Sequence, residues 1–287
     1  MQVSRQMHDA PGQTTMFAFS SYDLRIGVEV SAGIPGPLVE ETLPPGWTPI
    51  PKENLDRHYR LTKAGTGRSR YTLSINDENP PRSAASLAGI LNVLEGDIQM
   101  YVAEFAMPHI FVHAGVVVWR GRAIVLPGSS FAGKSTLVTS LVNAGATYYS
   151  DEFAVLTPEG NVLPYPRRVS LRPGPHEPSG RRDLSHHAPK GAASLQPIQV
   201  GLIALLRYQA SGEWRIEPLS SAAAIMAICE HTVPIQRRPA DTLKILGKVV
   251  DSARVIRGTR GEADEAVRRL LAVADMQEPI SYSASQP

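Results

Sequence analysis

The chain has 287 residues, 43% of them hydrophobic and 20% charged, with 29 basic and 27 acidic side chains and a net charge of +2. That length fits one or two domains, and the near-neutral balance argues against a general nucleic-acid binder or a protein held on membranes by charge. Cys229 is the single cysteine, which excludes an intramolecular disulfide and fits a reducing cytoplasm; no segment reaches the ~18 consecutive apolar residues of a membrane span, and no signal-peptide pattern opens the sequence.

Residues 1–15 are polar, with Pro and Gly, and are expected as a flexible tail. Alternation of Phe17, Phe19, Leu24, Ile26, Val28 and Val30 predicts one or two strands over 16–30. Leu43-Pro44-Pro45-Gly46 is a turn, and short strands are expected at 59–63 and 70–75. Leu87, Ile90, Leu91, Leu94, Ile98, Val102 and Phe105 recur at helical spacing, so 84–106 reads as one long helix that Pro108 ends. Residues 16–109 thus form a strand-rich unit closed by a helix.

A second unit, 110–275, opens with a strand pair, 111–119 and 122–126, turning at Arg120-Gly121. A glycine-rich loop and a helix over 135–143 follow, with Leu137, Leu141 and Val142 at helical spacing. Short strands at 147–149 and 153–156 flank Ser150-Asp151-Glu152, and another starts at Val162. Residues 200–208 and 213–216 read as a hairpin. Helices are expected over 221–230, 240–250 and 262–274, with a strand at 253–256. Residues 172–197, rich in Pro, Gly, Ser, His and Arg, suit a mobile loop over a site, and 276–287 form a second flexible tail. The fold class is α/β with a mixed sheet. Cys229 sits in an apolar helical segment and reads as a structural thiol. His176, His186 and His187 lack the Cys or acidic company of a metal site. The pairs Arg167-Arg168, Arg181-Arg182 and Arg237-Arg238 are surface pairs or anion contacts.

Gly128-Ser129-Ser130-Phe131-Ala132-Gly133-Lys134-Ser135 is a full match to the phosphate-binding pattern G-x-x-x-x-G-K-[ST]. The two glycines let the backbone turn tightly beside a phosphate. Successive N–H groups, continuing to Thr136, cradle the anion at the start of a helix. Lys134 supplies charge for the β- and γ-phosphates, and the Ser135 hydroxyl can ligate Mg²⁺. The setting, strand 123–126 before the loop and a helix after it, is the one this chemistry needs. A carboxylate must also reach the metal and the γ-phosphate, and Asp151-Glu152 stands where it can; the alternative is a polar turn. His113, in an apolar strand leading to the loop, is either a satisfied core histidine or a group that holds and polarises a carboxylate.

His113-Ala114-Gly115-Val116-Val117, a strand, the Gly-x-x-x-x-Gly-Lys-Ser loop, a helix and Asp151-Glu152 together resemble the catalytic core of HPr kinase/phosphorylase. The spacing fits as well: His113 precedes Gly128 by 15 positions, and Asp151 follows Ser135 by 16. The resemblance covers 111–156 firmly. It implies the fold of the phosphoenolpyruvate carboxykinase-like P-loop kinases. It also implies Asp151 as the base that takes the hydroxyl proton, polarised by His113, with Ser135 and Glu152 on Mg²⁺. The chain departs from that family in having Asp151-Glu152 where Asp-Asp is usual, and Tyr165-Pro166-Arg167-Arg168-Val169-Ser170-Leu171 in place of the second signature. These departures point away from HPr and the phosphorylase reaction. They point toward divergent HPr-kinase-related proteins, some of which modify serine on ribosomal peptides such as lasso-peptide precursors. Arg167 is then a candidate substrate or phosphate contact. The expected activity is an ATP- and Mg²⁺-dependent cytoplasmic kinase acting on a serine of a peptide or protein, with no nucleic-acid or membrane partner and a homo-oligomer left open. A small-molecule hydroxyl kinase and a nucleotide-binding regulatory protein are the alternatives.

Overall fold

The computed structural model describes residues 14–63, 70–78, 80–128, 133–166, 169–171, 180–182, 196–210 and 212–276. The chain divides into two compact units, Met1–Met107 and Pro108–Pro287.

In the first unit, β1 (Thr15–Ser21) and β2 (Leu24–Val30) form a hairpin. Its two turn residues, Tyr22 and Asp23, both take positive φ, the geometry that matches strand twist. A short helix α1 (Gly36–Glu40) and β3 (Thr48–Pro49) follow, then β4 (Arg57–Lys63), β5 (Tyr71–Ile75), β6 (Arg82–Ala84) and the long helix α2 (Leu87–Phe105). The six strands make one sheet in the order β3-β1-β2-β4-β5-β6, in which β2 and β4 run parallel. Ser86 caps α2 by accepting from the Gly89 N–H at 3.1 Å. The helix buries Ile90, Leu94, Ile98 and Val102. Its Asp97 accepts from Arg57 (2.7 Å) and the Tyr59 hydroxyl (2.8 Å) and pairs with Arg82 (2.8 Å), so one carboxylate pins the helix to two strands, β4 and β6. Residues 36–40, 48–49 and 82–84 carry too few side chains for a periodic signal, and none of these elements is expected from sequence.

The second unit is a three-layer α/β structure. Its strands are β7 (Ile110–Trp119), β8 (Arg122–Pro127), β9 (Thr147–Ser150), β10 (Phe153–Leu156), β11 (Asn161–Leu163), β12 (Val169–Leu171), β13 (Gly180–Arg182), β14 (Ile198–Tyr208), β15 (Arg215–Pro218) and β16 (Arg254–Arg260). Its helices are α3 (Lys134–Asn143), α4 (Ser221–Cys229), α5 (Pro239–Ser252) and α6 (Ala263–Asp275), with a 3₁₀ turn at Val233–Ile235. The main sheet has the order β11-β10-β7-β8-β14-β16-β15, and β9 pairs with β7. Strands β8, β14 and β16 are parallel neighbours. Their side chains alternate between two cores. Ile124, Leu126, Leu202 and Ile256 face α3 and α6, while Ala123, Val125, Ile203 and Val255 face α4 and α5.

The hairpin expected between 200–208 and 213–216 does not form. Strand β16 lies between β14 and β15, parallel to the first and antiparallel to the second. The middle of β14 is apolar, with Val200, Leu202, Ile203 and Ala204 buried, which suits parallel partners on both sides. Within 172–197, residues 180–182 are a strand paired with 169–171; 172–179 and 183–195, where the mobile loop was expected, lie outside the described residues, as do His176, His186 and His187. Among the described residues no helix is long and apolar enough to cross a membrane.

Candidate functional site

One close approach sets the position of α3. Gly115 of β7 has no side chain, and a Cβ there would stand 2.5 Å from Val138 Cγ2 on the helix. The helix starts at Gly133, whose φ of +73° is a left-handed conformation suited to glycine. Just before the loop, the Gly128 N–H donates to the His113 carbonyl at 3.2 Å, tying the end of β8 to β7. Loop residues Ser129, Ser130, Phe131 and Ala132 lie outside the described residues, as does Arg167. The two ends of the loop are joined by Lys134, whose Nζ donates to the Gly128 carbonyl at 2.7 Å. Thr136 is exposed in the first helical turn.

Around that lysine the structure gathers Ser135, Asp151, Glu152 and His113. Asp151 and Glu152 follow β9 directly, and their side chains meet different partners. Asp151 is buried. The Ser135 hydroxyl donates to Asp151 Oδ2 at 3.3 Å, and the Tyr148 hydroxyl to Oδ1 at 3.1 Å. Glu152 Oε1 lies 3.5 Å from His113 Nδ1. His113 is opposite Phe153 in the β7–β10 register, and the Ala114 N–H donates to the Glu152 carbonyl at 3.1 Å, so Glu152 is held against the histidine's strand. The resemblance pairs His113 with Asp151 and Glu152 with Ser135. In the structure Asp151 meets Ser135 and Tyr148, while Glu152 meets His113.

Burial shifts the basic groups. His113 is lowered to about 4, first by desolvation and then by the nearby Lys134 and His231 charges, against a contact with the Glu152 carbonyl that raises it. It is therefore neutral near pH 7, and its contact with Glu152 is a long hydrogen-bond-range contact of a neutral imidazole, not an ion pair. Burial also lowers the Lys134 amine, while Glu152 and Asp151 pull it back up.

Three residues join this site without a sequence signal of their own. Tyr148 reads as an ordinary core aromatic of a short strand. His231 follows α4; its carbonyl accepts from the His113 N–H at 2.7 Å, and burial lowers its imidazole. Arg260 ends β16 and donates from Nη2 to the Gly133 carbonyl at 2.9 Å. The sheet order, invisible in the sequence, brings it there.

Of the arginine pairs, Arg238 is structural: its guanidinium donates to the carbonyls of His109 (3.1 Å) and Pro108 (3.2 Å) and to Asp241 (3.3 Å). Cys229 is half-buried, and burial raises its thiol, which keeps it protonated and weakly nucleophilic. A cavity of about 280 Å³ opens at the opposite end of β8, among Trp119, Arg120, Arg122, Asp251, Arg254 and Asp275, and shares no residue with the loop. Among the described residues no three His, Cys, Asp or Glu side chains gather to hold a metal by protein alone. Ser135 Oγ beside the Asp151 carboxylate does fit Mg²⁺, which favours few protein ligands plus phosphate oxygens.

No protein-family model matches the sequence, and no curated protein matches it either.

Proposed function

We propose that the chain is an ATP- and Mg²⁺-dependent phosphotransferase that moves the terminal phosphoryl group to a serine-type hydroxyl of a peptide or protein. The observation that carries this reading is the convergence of Lys134, Ser135, Asp151, Glu152 and His113 at one loop. A phosphate loop alone holds nucleotide; two carboxylates and a neutral imidazole beside it supply a proton acceptor as well. The carboxykinase-like kinase fold and the cytoplasmic setting belong to the same proposal.

In the reaction the acceptor oxygen attacks the γ-phosphorus in line. The bond to the bridging oxygen of the leaving ADP breaks, and the hydroxyl proton passes to a carboxylate. Positioning and charge neutralisation provide most of the catalysis. Lys134 balances charge on the phosphates. Mg²⁺, held by Ser135 and a carboxylate, would supply further neutralisation.

The resemblance makes Asp151 the base. The observed contacts favour a second assignment, in which Asp151 shares the metal with Ser135 and Glu152, beside His113, takes the proton. Asp151→Asn and Glu152→Gln separate the two. The base variant keeps Mg²⁺-ATP affinity and loses transfer, while the metal-side variant raises the Mg²⁺ requirement.

The test of the function itself uses γ-labelled ATP, Mg²⁺ and a size-fractionated cell lysate. Acid-stable label in a peptide or protein fraction, lost in the carboxylate variants, is the expected result. Label confined to small molecules would make the chain a metabolite kinase. ATP binding with no variant-sensitive label would make it a regulatory nucleotide binder.

A further inference from the structure

Arg260 is a buried charge outside the group around Lys134. It is 3% exposed, and among the described residues no carboxylate forms an ion pair with it. Buried guanidinium groups ordinarily have such a partner. Its hydrogen bonds go instead to two backbone carbonyls, Gly133 at 2.9 Å from Nη2 and Gly261 at 3.0 Å from Nη1. Its Cζ lies over the Tyr208 ring, 5.2 Å from the centroid, and the Tyr208 hydroxyl donates to Glu262 at 2.8 Å.

The Gly133 carbonyl already accepts from the Leu137 N–H at 3.1 Å, the first hydrogen bond of α3. Arg260 is thus a second donor on the carbonyl where loop becomes helix. A Cβ at Gly133 would stand 2.5 Å from Arg260 Nη2, so the guanidinium occupies the space a side chain there would need. Tyr208, Arg260 and Gly128 follow or end three parallel neighbours, β14, β16 and β8, at their carboxyl ends, the edge where open α/β sheets bind ligands.

We propose that Arg260 is a positioning residue for the phosphate-binding loop: it fixes Gly133 in its left-handed conformation and so aims the following N–H groups at the nucleotide's phosphates. This rests on the reading of 128–135 as a nucleotide site. The fork geometry is essential, because its Nη1 and Nη2 reach two different carbonyls at once, which a single ammonium group does not reproduce.

The experiment titrates the full chain, as wild type, Arg260→Met and Arg260→Lys, with Mg²⁺-ATP and with Mg²⁺ and inorganic triphosphate, beside thermal unfolding of each protein. Arg260→Met is expected to weaken both ligands by the same factor, about tenfold to a hundredfold. Arg260→Lys should remain at least about fivefold weak, although it keeps the charge. Should the Met variant fail to fold, the Lys variant decides alone. Wild-type affinity in the Lys variant would overturn the proposal, since charge alone would then suffice. A loss for ATP with triphosphate unaffected would also overturn it, in favour of a nucleoside contact. Folded wild type that binds neither ligand would overturn the nucleotide site itself, whereas tight wild-type binding with unaffected variants would overturn only the role of Arg260.

Discussion

Gly115→Ala should loosen the second unit and its loop together. The added Cβ would lie 2.5 Å from Val138 Cγ2, whereas carbon atoms rest comfortably at about 3.5–4.0 Å. The helix must therefore retreat by roughly 1 Å, because the β-branched Val138 has one favoured rotamer in a helix and cannot swing aside. Both residues are buried. Overpacking of this kind costs about 1–3 kcal/mol, which at roughly 2–4 °C per kcal/mol for a unit of this size lowers Tm by about 2–12 °C. Val138→Ala alone leaves a small cavity and also destabilises. In the double variant the new methyl moves into the vacated space, so the two costs should fall short of their sum by at least about 1 kcal/mol. Urea unfolding of the four proteins measures this coupling, with Mg²⁺-ATP affinity followed in parallel. Affinity should drop in Gly115→Ala and recover in the double variant, since α3 carries Lys134 and Ser135. Costs that add within about 0.5 kcal/mol, or a neutral Gly115→Ala, would refute the idea that this contact sets the helix.

Lys134→Met should weaken Mg²⁺-ATP binding at least about tenfold, the scale of one charged hydrogen bond, with thermal unfolding close to wild type; equal affinity in a titration would remove the lysine from the site. His113 is held below its unfolded value of about 6.5, so the unfolded chain binds the extra proton first. Stability from this group is whole above about pH 6.5 and is lost as pH falls toward about 4. Urea midpoints at pH 7.5 and 5.0 should show a smaller acid loss in His113→Asn than in wild type, and identical losses would contradict the burial argument. Arg238→Ala strips the His109 and Pro108 carbonyls of their donor and should cost about 1–3 kcal/mol in urea unfolding, while leaving Mg²⁺-ATP affinity unchanged.

Local chemistry made much of this architecture legible in advance. The β-branched run 116–118 reads as strand, the Arg120-Gly121 turn falls where both residues take positive φ, and helices α3, α5 and α6 announce themselves through 3.6-residue spacing. Sheet order was not legible. A pattern of apolar residues says that β14 is buried, and nothing in it says that a strand some fifty positions later is its neighbour. The same limit holds at the site. Spacing brings Asp151 and Glu152 to the loop, yet the exchange of partners between them depends on how one turn leaves β9 and on the β7–β10 register. Tyr148, His231 and Arg260 carry no motif because their roles come from how three segments distant in sequence meet.

The insertion of β16 between β14 and β15 also imposes an order on the chain's synthesis. Gly133 and the arginine that holds it are 127 positions apart. At about 5–20 residues per second, a ribosome needs roughly 6–25 s to make that stretch. For most of this interval the loop, its helix and both carboxylates already exist as polypeptide, while an inner strand of their sheet does not. A nascent chain paused in this window would expose the open edge of β14, so slow translation through 209–253 should favour aggregation, and nucleotide would be held firmly only by chains that have passed it.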